Sequence, residues 1–168
     1  AIDWRGDVRN VLVQRCVMHN DYAGNVMEIG FETRADRIGD IVFRDCDVIA
    51  VRGHGAVFSI HNGDRALVEN VLYENIRVEH YYDKFVDFRV LDSRYSKDHE
   101  RGRIRNVTLR NIAAVANTHN TVSLIGGFDE EHLVEHVTFD RFFLGGEKVR
   151  DADGLHLFAK YAKGIGFR

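Results

Sequence analysis

The chain has 168 residues, of which 45% are apolar, 29% charged and 11% aromatic, a balance that excludes disorder and fits one globular domain over residues 1–168. Lys and Arg number 23 against 26 Asp and Glu, a formal charge of -3 without any basic block that would track a phosphate backbone, so no nucleic-acid partner is expected. No apolar run nears the roughly 18 residues of a membrane-spanning helix, the longest pieces being as short as Ile41 to Phe43 and Val122 to Ile125, so no membrane association is expected either.

The chain starts at Ala1 rather than Met, and Ala1-Ile2-Asp3-Trp4 carries neither a basic region nor an apolar signal core. A removed leader, or a position in the C-terminal part of a longer β-helix, is the expectation. From there one short pattern recurs: Asn10-Val11-Leu12-Val13, Asp40-Ile41-Val42-Phe43, Asn70-Val71-Leu72-Tyr73, Asn106-Val107-Thr108-Leu109, His136-Val137-Thr138-Phe139 and Gly164-Ile165-Gly166-Phe167. The anchors 11, 41, 71, 107, 137 and 165 are separated by 30, 30, 36, 30 and 28 residues.

Three residues beyond each second apolar position comes another buried-type residue, Cys16, Cys46, Ile76, Ile112 and Phe142. About 15 residues after each anchor a third piece follows: Val26 to Ile29, Ala56 to Ile60, Val86 to Val90 and Val122 to Ile125. Turn formers such as Asn20-Asp21, Gly53-His54-Gly55 and Gly126-Gly127 separate the pieces, and no repeat contains a convincing helix. Three strands per repeat, with equivalent residues stacked from coil to coil, predict an all-β, right-handed parallel β-helix of about five coils. A sandwich or barrel of short strands does not hold such a period.

Stacking predicts one interior column of Val11, Ile41, Val71, Val107 and Val137, and a ladder of Asn10, Asp40, Asn70 and Asn106 at the preceding turn. It also sets Cys16 over Cys46 at strand spacing, where geometry permits a disulfide but a pair of free apolar thiols is preferred. On the third strand, alternation predicts Met27, Ile29 and Phe31 outward, with Val57, Ser59 and His61, and then Asp87, Arg89 and Leu91, beside them. Glu28 is expected to face inward, in a column with Phe58, Phe88 and Leu124, and so to need a partner such as Arg15, Arg34 or Arg52, or a raised pKa that would make it a functional acid.

The segments Ile2 to Cys16, Gly24-Asn25-Val26-Met27-Glu28-Ile29-Gly30 and Gly55-Ala56-Val57-Phe58-Ser59-Ile60 resemble successive coils of the β-helix glycoside hydrolases of the polygalacturonase (family 28) and dextranase/isopullulanase (family 49) type. The resemblance implies a secreted or periplasmic enzyme that cleaves polysaccharides with paired carboxylates and no cofactor. It also places the family's catalytic Asp-Asp pair immediately before Ala1. The family 28 His between two glycines has no match at Tyr22-Ala23-Gly24, and its Arg-x-Lys grip on acidic sugars is replaced by Phe58-Ser59-Ile60, which weakens the polygalacturonase reading and leaves a neutral-glucan or other neutral-glycan hydrolase open.

Glycoside hydrolysis requires two carboxyl groups about 5 to 9.5 Å apart, and Glu32 with Asp64 is the pair expected at the ends of the long strands. His61, Asn62, Arg94, Tyr95 and Glu28 are the expected substrate-binding residues, with Glu32, His61, Asp64 and Arg94 lining one groove. The extra length at Leu91 to Arg103 should form a wall beside it. Tyr81, Tyr82, Tyr95 and Phe128 are candidates for stacking on sugar rings. His54, His61 and His80 lack ligand spacing, so no metal is expected. The alternatives are a non-catalytic carbohydrate-binding or adhesin β-helix and a polysaccharide lyase, the latter disfavoured by the lack of a dense cationic or calcium-binding cluster. Association at the uncapped coil ends is a further expectation.

Overall fold

The computed structural model describes residues 5–115 and 121–168; the opening Ala1-Ile2-Asp3-Trp4 lies outside the described residues. The strands are β1 (Val8–Gln14), β2 (Val17–Asn20), β3 (Met27–Phe31), β4 (Arg37–Val51), β5 (Ala56–Asn62), β6 (Leu67–Val78), β7 (Lys84–Val90) and β8 (Arg103–Ala114). They continue with β9 (Val122–Gly126), β10 (Val134–Leu144), β11 (Glu147–Lys148), β12 (Leu157–Lys160), β13 (Ala162–Lys163) and β14 (Gly166–Phe167). They form two stacked sheets, a nine-stranded one along β1-β4-β6-β8-β10 and a five-stranded one in the order β12-β9-β7-β5-β3. Every pairing but the β10–β11 hairpin is parallel, so the chain is a parallel β-solenoid.

The anchor column is as expected. Val11 pairs with Ile41, Ile41 with Val71, Val71 with Val107 and Val107 with Val137. Val71, Val107 and Val137 are buried, whereas Val11 is 36% exposed, its strand pairing with β4 alone among the described residues. Beside this column Phe43 stacks on Tyr73 at 5.1 Å and Phe139 on Phe167 at 5.0 Å. Each such enclosed side chain contributes roughly 1.5–3 kcal/mol through removal of apolar surface from water.

The first coil has the expected three strands, β1, β2 and β3, but in β4, β6, β8 and β10 the first two pieces run together as one long strand, which bends at two residues in the left-handed region without losing its ladder. Asp40 and Asp45, Asn70 and Asn75, Asn106 and Asn111, and His136 and Arg141 all have φ between 52 and 56°. Asn and Asp tolerate this conformation better than other side chains because they bond locally. The side chains also bond from coil to coil: Asn70 Nδ2 donates to Asp40 Oδ1 at 3.0 Å and Asn106 to Asn70 at 3.3 Å. A second ladder, absent from the sequence reading, runs from Asn111 to Asn75 at 2.7 Å and from Asn75 to Asp45 at 2.9 Å.

Cys16 and Cys46 are both free thiols, and burial pushes the Cys46 thiol up. The thiols donate instead to backbone carbonyls, Cys46 Sγ to Arg44 O at 3.1 Å and Cys16 Sγ to Gln14 O at 3.3 Å.

The face assignment of β3 requires correction. Met27 and Ile29 are core residues, 0% and 7% exposed, not outward ones. The cause is register: Met27 pairs with Phe58 and Ile29 with Ile60, a step of 31 residues where the nine-stranded sheet steps by 30. An odd shift in a period-2 element exchanges its faces.

Candidate functional site

With that register, the outer face of the five-stranded sheet carries two adjacent columns. One is Glu28, Ser59, Asp87 and Leu124; the other is Gly30, His61, Arg89 and Gly126. Glu28 therefore does not stack on Phe58 and Phe88 in the core; of the column expected for it, only Leu124 remains.

His61 is the centre of the polar cluster. Its Nδ1 lies 3.1 Å from Glu28 Oε1, and its Nε2 lies 3.1 Å from Asp87 Oδ2. Burial opposes a charge on this imidazole, but the bonds to Asp87 and Glu28 outweigh it and hold the pKa above the usual value. In the protonated ring both nitrogens donate, one to each carboxylate. Burial alone would raise the Asp87 carboxyl, yet His61 and Arg89 hold it below its usual range. Arg89 grips Asp87 with two parallel bonds, Nε to Oδ1 at 2.5 Å and Nη2 to Oδ2 at 2.8 Å.

Glu28 is positioned from a second side. Asn25 Nδ2 donates to Glu28 Oε2 at 2.5 Å, while Asn25 Oδ1 accepts from Ala56 N at 2.7 Å, so the amide is fixed at both ends. Gly30 makes the close approach geometrically feasible. Its φ is +139°, and a Cβ there would fall 2.2 Å from His61 O and 2.8 Å from Glu28 Oε1. Ser59 Oγ lies 3.2 Å from His61 Nδ1, which with Asp87 gives the outline of a Ser-His-Asp triad. Ser59 is 0% exposed, however, and so presents no nucleophile to a ligand. Side-chain exposure is 20% for Glu28, 3% for His61 and 0% for Asp87, which makes Glu28 the member of the trio that reaches solvent. Burial also pushes the Tyr73 phenol well above its usual range, and the Glu28 charge adds to this, so the hydroxyl stays neutral.

Two features extend the face on either side. Phe31 stacks on the His61 ring at 4.3 Å and 15°, Tyr95 tilts against Phe31 at 5.6 Å, and the Arg94 guanidinium lies 4.7 Å over the Tyr95 ring. On the other side Arg89, Leu124, Gly126, Phe158 and Lys160 line an open pocket of about 440 Å³. Phe158 is 65% exposed there, an apolar surface beside cationic groups.

The expected acid pair is not brought together as a reactive pair. Asp64 is 0% exposed and saturated by backbone donors, Thr33 N at 2.9 Å, Lys97 N at 2.6 Å and Asp98 N at 2.8 Å. It is a tether for the 91–102 loop. Asn62 is likewise structural: it accepts from Thr33 Oγ1 at 2.6 Å and donates to the carbonyls of Ala66 and Arg103 at 2.7 and 3.1 Å. Glu32 is half-buried just beyond β3 and forms no ion pair among the described residues. His61 and Glu28 do meet, and Arg94 and Tyr95 reach them through Phe31. Of the other aromatics, Tyr81 is 4% exposed and packs in the core, whereas Tyr82 and Phe128 are 40% and 45% exposed.

Asp87 and Arg89 are the members of the cluster that the sequence placed outward without a role. The alternation of Val86-Asp87-Phe88-Arg89-Val90 was the available signal, an ion pair two residues apart on one face of a strand. Among the described residues no group of three or more His, Cys, Asp or Glu is arranged to hold a metal ion. Comparison of the chain with protein-family models, with curated proteins and with solved structures finds no match.

Proposed function

We propose that this β-helix holds a polysaccharide chain along the outer face of its five-stranded sheet and processes it at a glycosidic bond, in the manner of the polygalacturonase and dextranase/isopullulanase type of hydrolase. The observation that carries this reading is the Glu28-His61-Asp87-Arg89 cluster, a solvent-reaching carboxylate braced by a charged imidazole on an open sheet face. Glu28 transfers the proton to or from the leaving oxygen. His61 orients it, and Asp87 with Arg89 positions His61. The pocket of Leu124, Phe158 and Lys160, with Tyr95 at the other side, supplies apolar ring contacts and hydroxyl partners for neighbouring sugar units.

Glu28 and Asp87 lie two strand spacings apart in one column, about 9.6 Å between backbones. Asp87 is enclosed, so the second carboxylate of a hydrolase falls to Glu32, the remaining member of the pair expected from sequence. Such an enzyme acts outside the cytoplasm. The second reading, a non-catalytic glycan-binding module, is favoured by the closure of His61 and Asp87 against one another.

The test is a panel of neutral and acidic oligosaccharides, scored for binding and for new reducing ends. Glu28→Gln should lower turnover by about 10²- to 10⁴-fold while leaving binding intact. Binding without turnover by the unaltered chain selects the module. Turnover that survives loss of both Glu28 and Glu32 rejects these carboxylates, and absence of any glycan binding rejects the carbohydrate class.

A further inference from the structure

The chain has two cysteines, and they occupy neighbouring places in one column of the nine-stranded sheet. Cys16 lies between β1 and β2, and Cys46 lies within β4. The backbone bonds on either side fix their register: Arg15 N donates to Arg44 O at 3.1 Å, and Asp47 N donates to Cys16 O at 2.9 Å. Cys46 in turn pairs with Ile76, Ile76 with Ile112 and Ile112 with Phe142, and these last three are 0% exposed. The position takes a large apolar side chain in three coils and a thiol in the two before them.

Residues stacked across a parallel ladder stand about 4.8 Å apart at Cα, inside the window of roughly 4.4–6.8 Å that a disulfide spans. Both side chains point the same way, since each Sγ donates to the carbonyl two residues before its own. A thiol is a weak donor, so turning one Sγ from its carbonyl toward the other sulfur forfeits little. Access is unequal. Cys46 is 1% exposed, at the wall of an open pocket of about 440 Å³ that Asp45, Asn75 and Arg77 also line, whereas Cys16 is half-buried. Burial holds Cys46 as a thiol, and Cys16 is the sulfur that a molecule in solution meets first.

We propose that Cys16 and Cys46 form a thiol–disulfide exchange site, closed by a small-molecule disulfide, that staples the first coil to the second. The Cys16 thiol gives its proton to water, and its thiolate attacks one sulfur of the small disulfide, so that a mixed disulfide forms on Cys16 and one thiolate departs. Cys46 then loses its proton, attacks Cys16 Sγ and expels the second thiolate. The two departing thiolates take up the two protons. Two cysteine thiols are thereby oxidised to one disulfide, and the small disulfide is reduced to two thiols. The bridge closes one full coil, a step of 30 residues, and so restricts the unfolded chain. It acts where the stack is least covered, since Val11, Leu12 and Val17 are 36%, 50% and 67% exposed. The first coil carries Glu28 and the second carries His61, so the staple keeps the solvent-reaching carboxylate against the ring that braces it. None of this depends on what the five-stranded sheet binds.

The full chain, incubated with hydroxyethyl disulfide and then alkylated with iodoacetamide, tests the proposal by non-reducing peptide mapping. The expected product is a pair of peptides joined from Cys16 to Cys46 within one chain, lighter than the dithiol by two hydrogen atoms and reopened by dithiothreitol. On closure, amide exchange in β1, β2 and β3 should slow about tenfold, while exchange in β12, at the far end of the stack, stays as it was. Cys46→Ala should stop at the Cys16 mixed disulfide. Cys16→Ala, verified as folded by circular dichroism, should leave Cys46 unmodified until urea unfolds the chain. Two thiols that remain free, a mixed disulfide that persists on Cys16 of the unaltered chain, or a bridge between two chains overturns the proposal. So does a closed bridge that leaves exchange in the first coil unchanged, and so does a Cys46 that reacts in folded Cys16→Ala as fast as Cys16 does in Cys46→Ala.

Discussion

The nine-stranded and five-stranded sheets are wound by the same chain, yet they obey different rules. Steps in the first are 30, 30, 36 and 30 residues along the Val11 column. In the second, Glu28 steps 31 residues to Ser59, Ser59 steps 28 to Asp87, and Asp87 steps 37 to Leu124 across a register shift. The regular sheet carries left-handed corners, amide ladders and apolar columns, and its outer charges pair from coil to coil, as Arg77 does with Asp47 at 2.6 and 2.7 Å. The irregular sheet instead holds Ser59, His61 and Asp87 almost fully enclosed. Repetition secures the stack, and departure from it gathers unlike side chains at one place. A solenoid's stability is approximately a sum over coils and their interfaces, so one sheet can carry the regularity while the other is free to specialise.

The largest effect is expected where the regular sheet is broken at its interior. Val71 is 1% exposed and stacked between Ile41 and Val107. Val71→Asp buries an unpaired carboxylate between apolar neighbours and should cost roughly 4 kcal/mol or more. A urea titration followed by circular dichroism should show the chain unfolded or its midpoint sharply lowered, and an unchanged midpoint would remove Val71 from the interior.

A smaller loss, confined to the irregular sheet, is expected from Asp87→Asn. The change leaves His61 with one carboxylate and Arg89 without its two-bond partner, at a cost of about 3 kcal/mol near neutral pH. It should also reshape the pH profile. His61 is buried, but its bonds to Asp87 and Glu28 raise its pKa, so its contribution is complete below about pH 6.5 and fades as pH rises through the folded value. Asp87 is buried too, but His61 and Arg89 depress its pKa, so its contribution is complete above about pH 3.9 and fades as pH falls through the folded value. The unaltered chain should thus be most stable between these limits. Asp87→Asn should bring the His61 ring titration down toward the ordinary imidazole range, readable by NMR. An unmoved His61 titration would show that the pair contributes nothing to the charge.

How much of this was legible in the sequence follows from the same contrast. The apolar column and the Asn ladder could be read because one period governs them: Asn10, Asp40, Asn70 and Asn106 all sit one residue before an anchor. The pairing of Glu28 with His61 could not, because it depends on a one-residue offset between β3 and β5 that no repeat unit encodes. Asp64 looked like a free acid because sequence shows a carboxylate but not the three amides that the 31–34 turn and the 91–102 loop bring to it. The merging of two strand pieces into one was also hidden. Arg15 and Arg141 occupy the second corner where Asp45, Asn75 and Asn111 stand in other coils, so its composition is less uniform than its conformation.

The second ladder gives the smallest and most local effect. Asn75 has φ 55°, donates to Asp45 Oδ1 at 2.9 Å and accepts from Asn111 at 2.7 Å, all on an exposed edge. Asn75→Ala removes both bonds and forces a Cβ-bearing side chain without a local hydrogen bond into the left-handed region, which together should cost about 1–2 kcal/mol. Asn75→Gly loses the same bonds but adopts the corner without steric penalty, so it should cost less than the alanine change despite removing more of the side chain. Neither substitution should move the His61 titration, since the ladder and the polar cluster belong to different sheets. Urea midpoints for the two variants, measured beside the NMR titration, separate the corner conformation from the amide bonds. Equal losses would assign the whole effect to the ladder bonds, and a larger loss for glycine would reject the corner as the reason Asn recurs there.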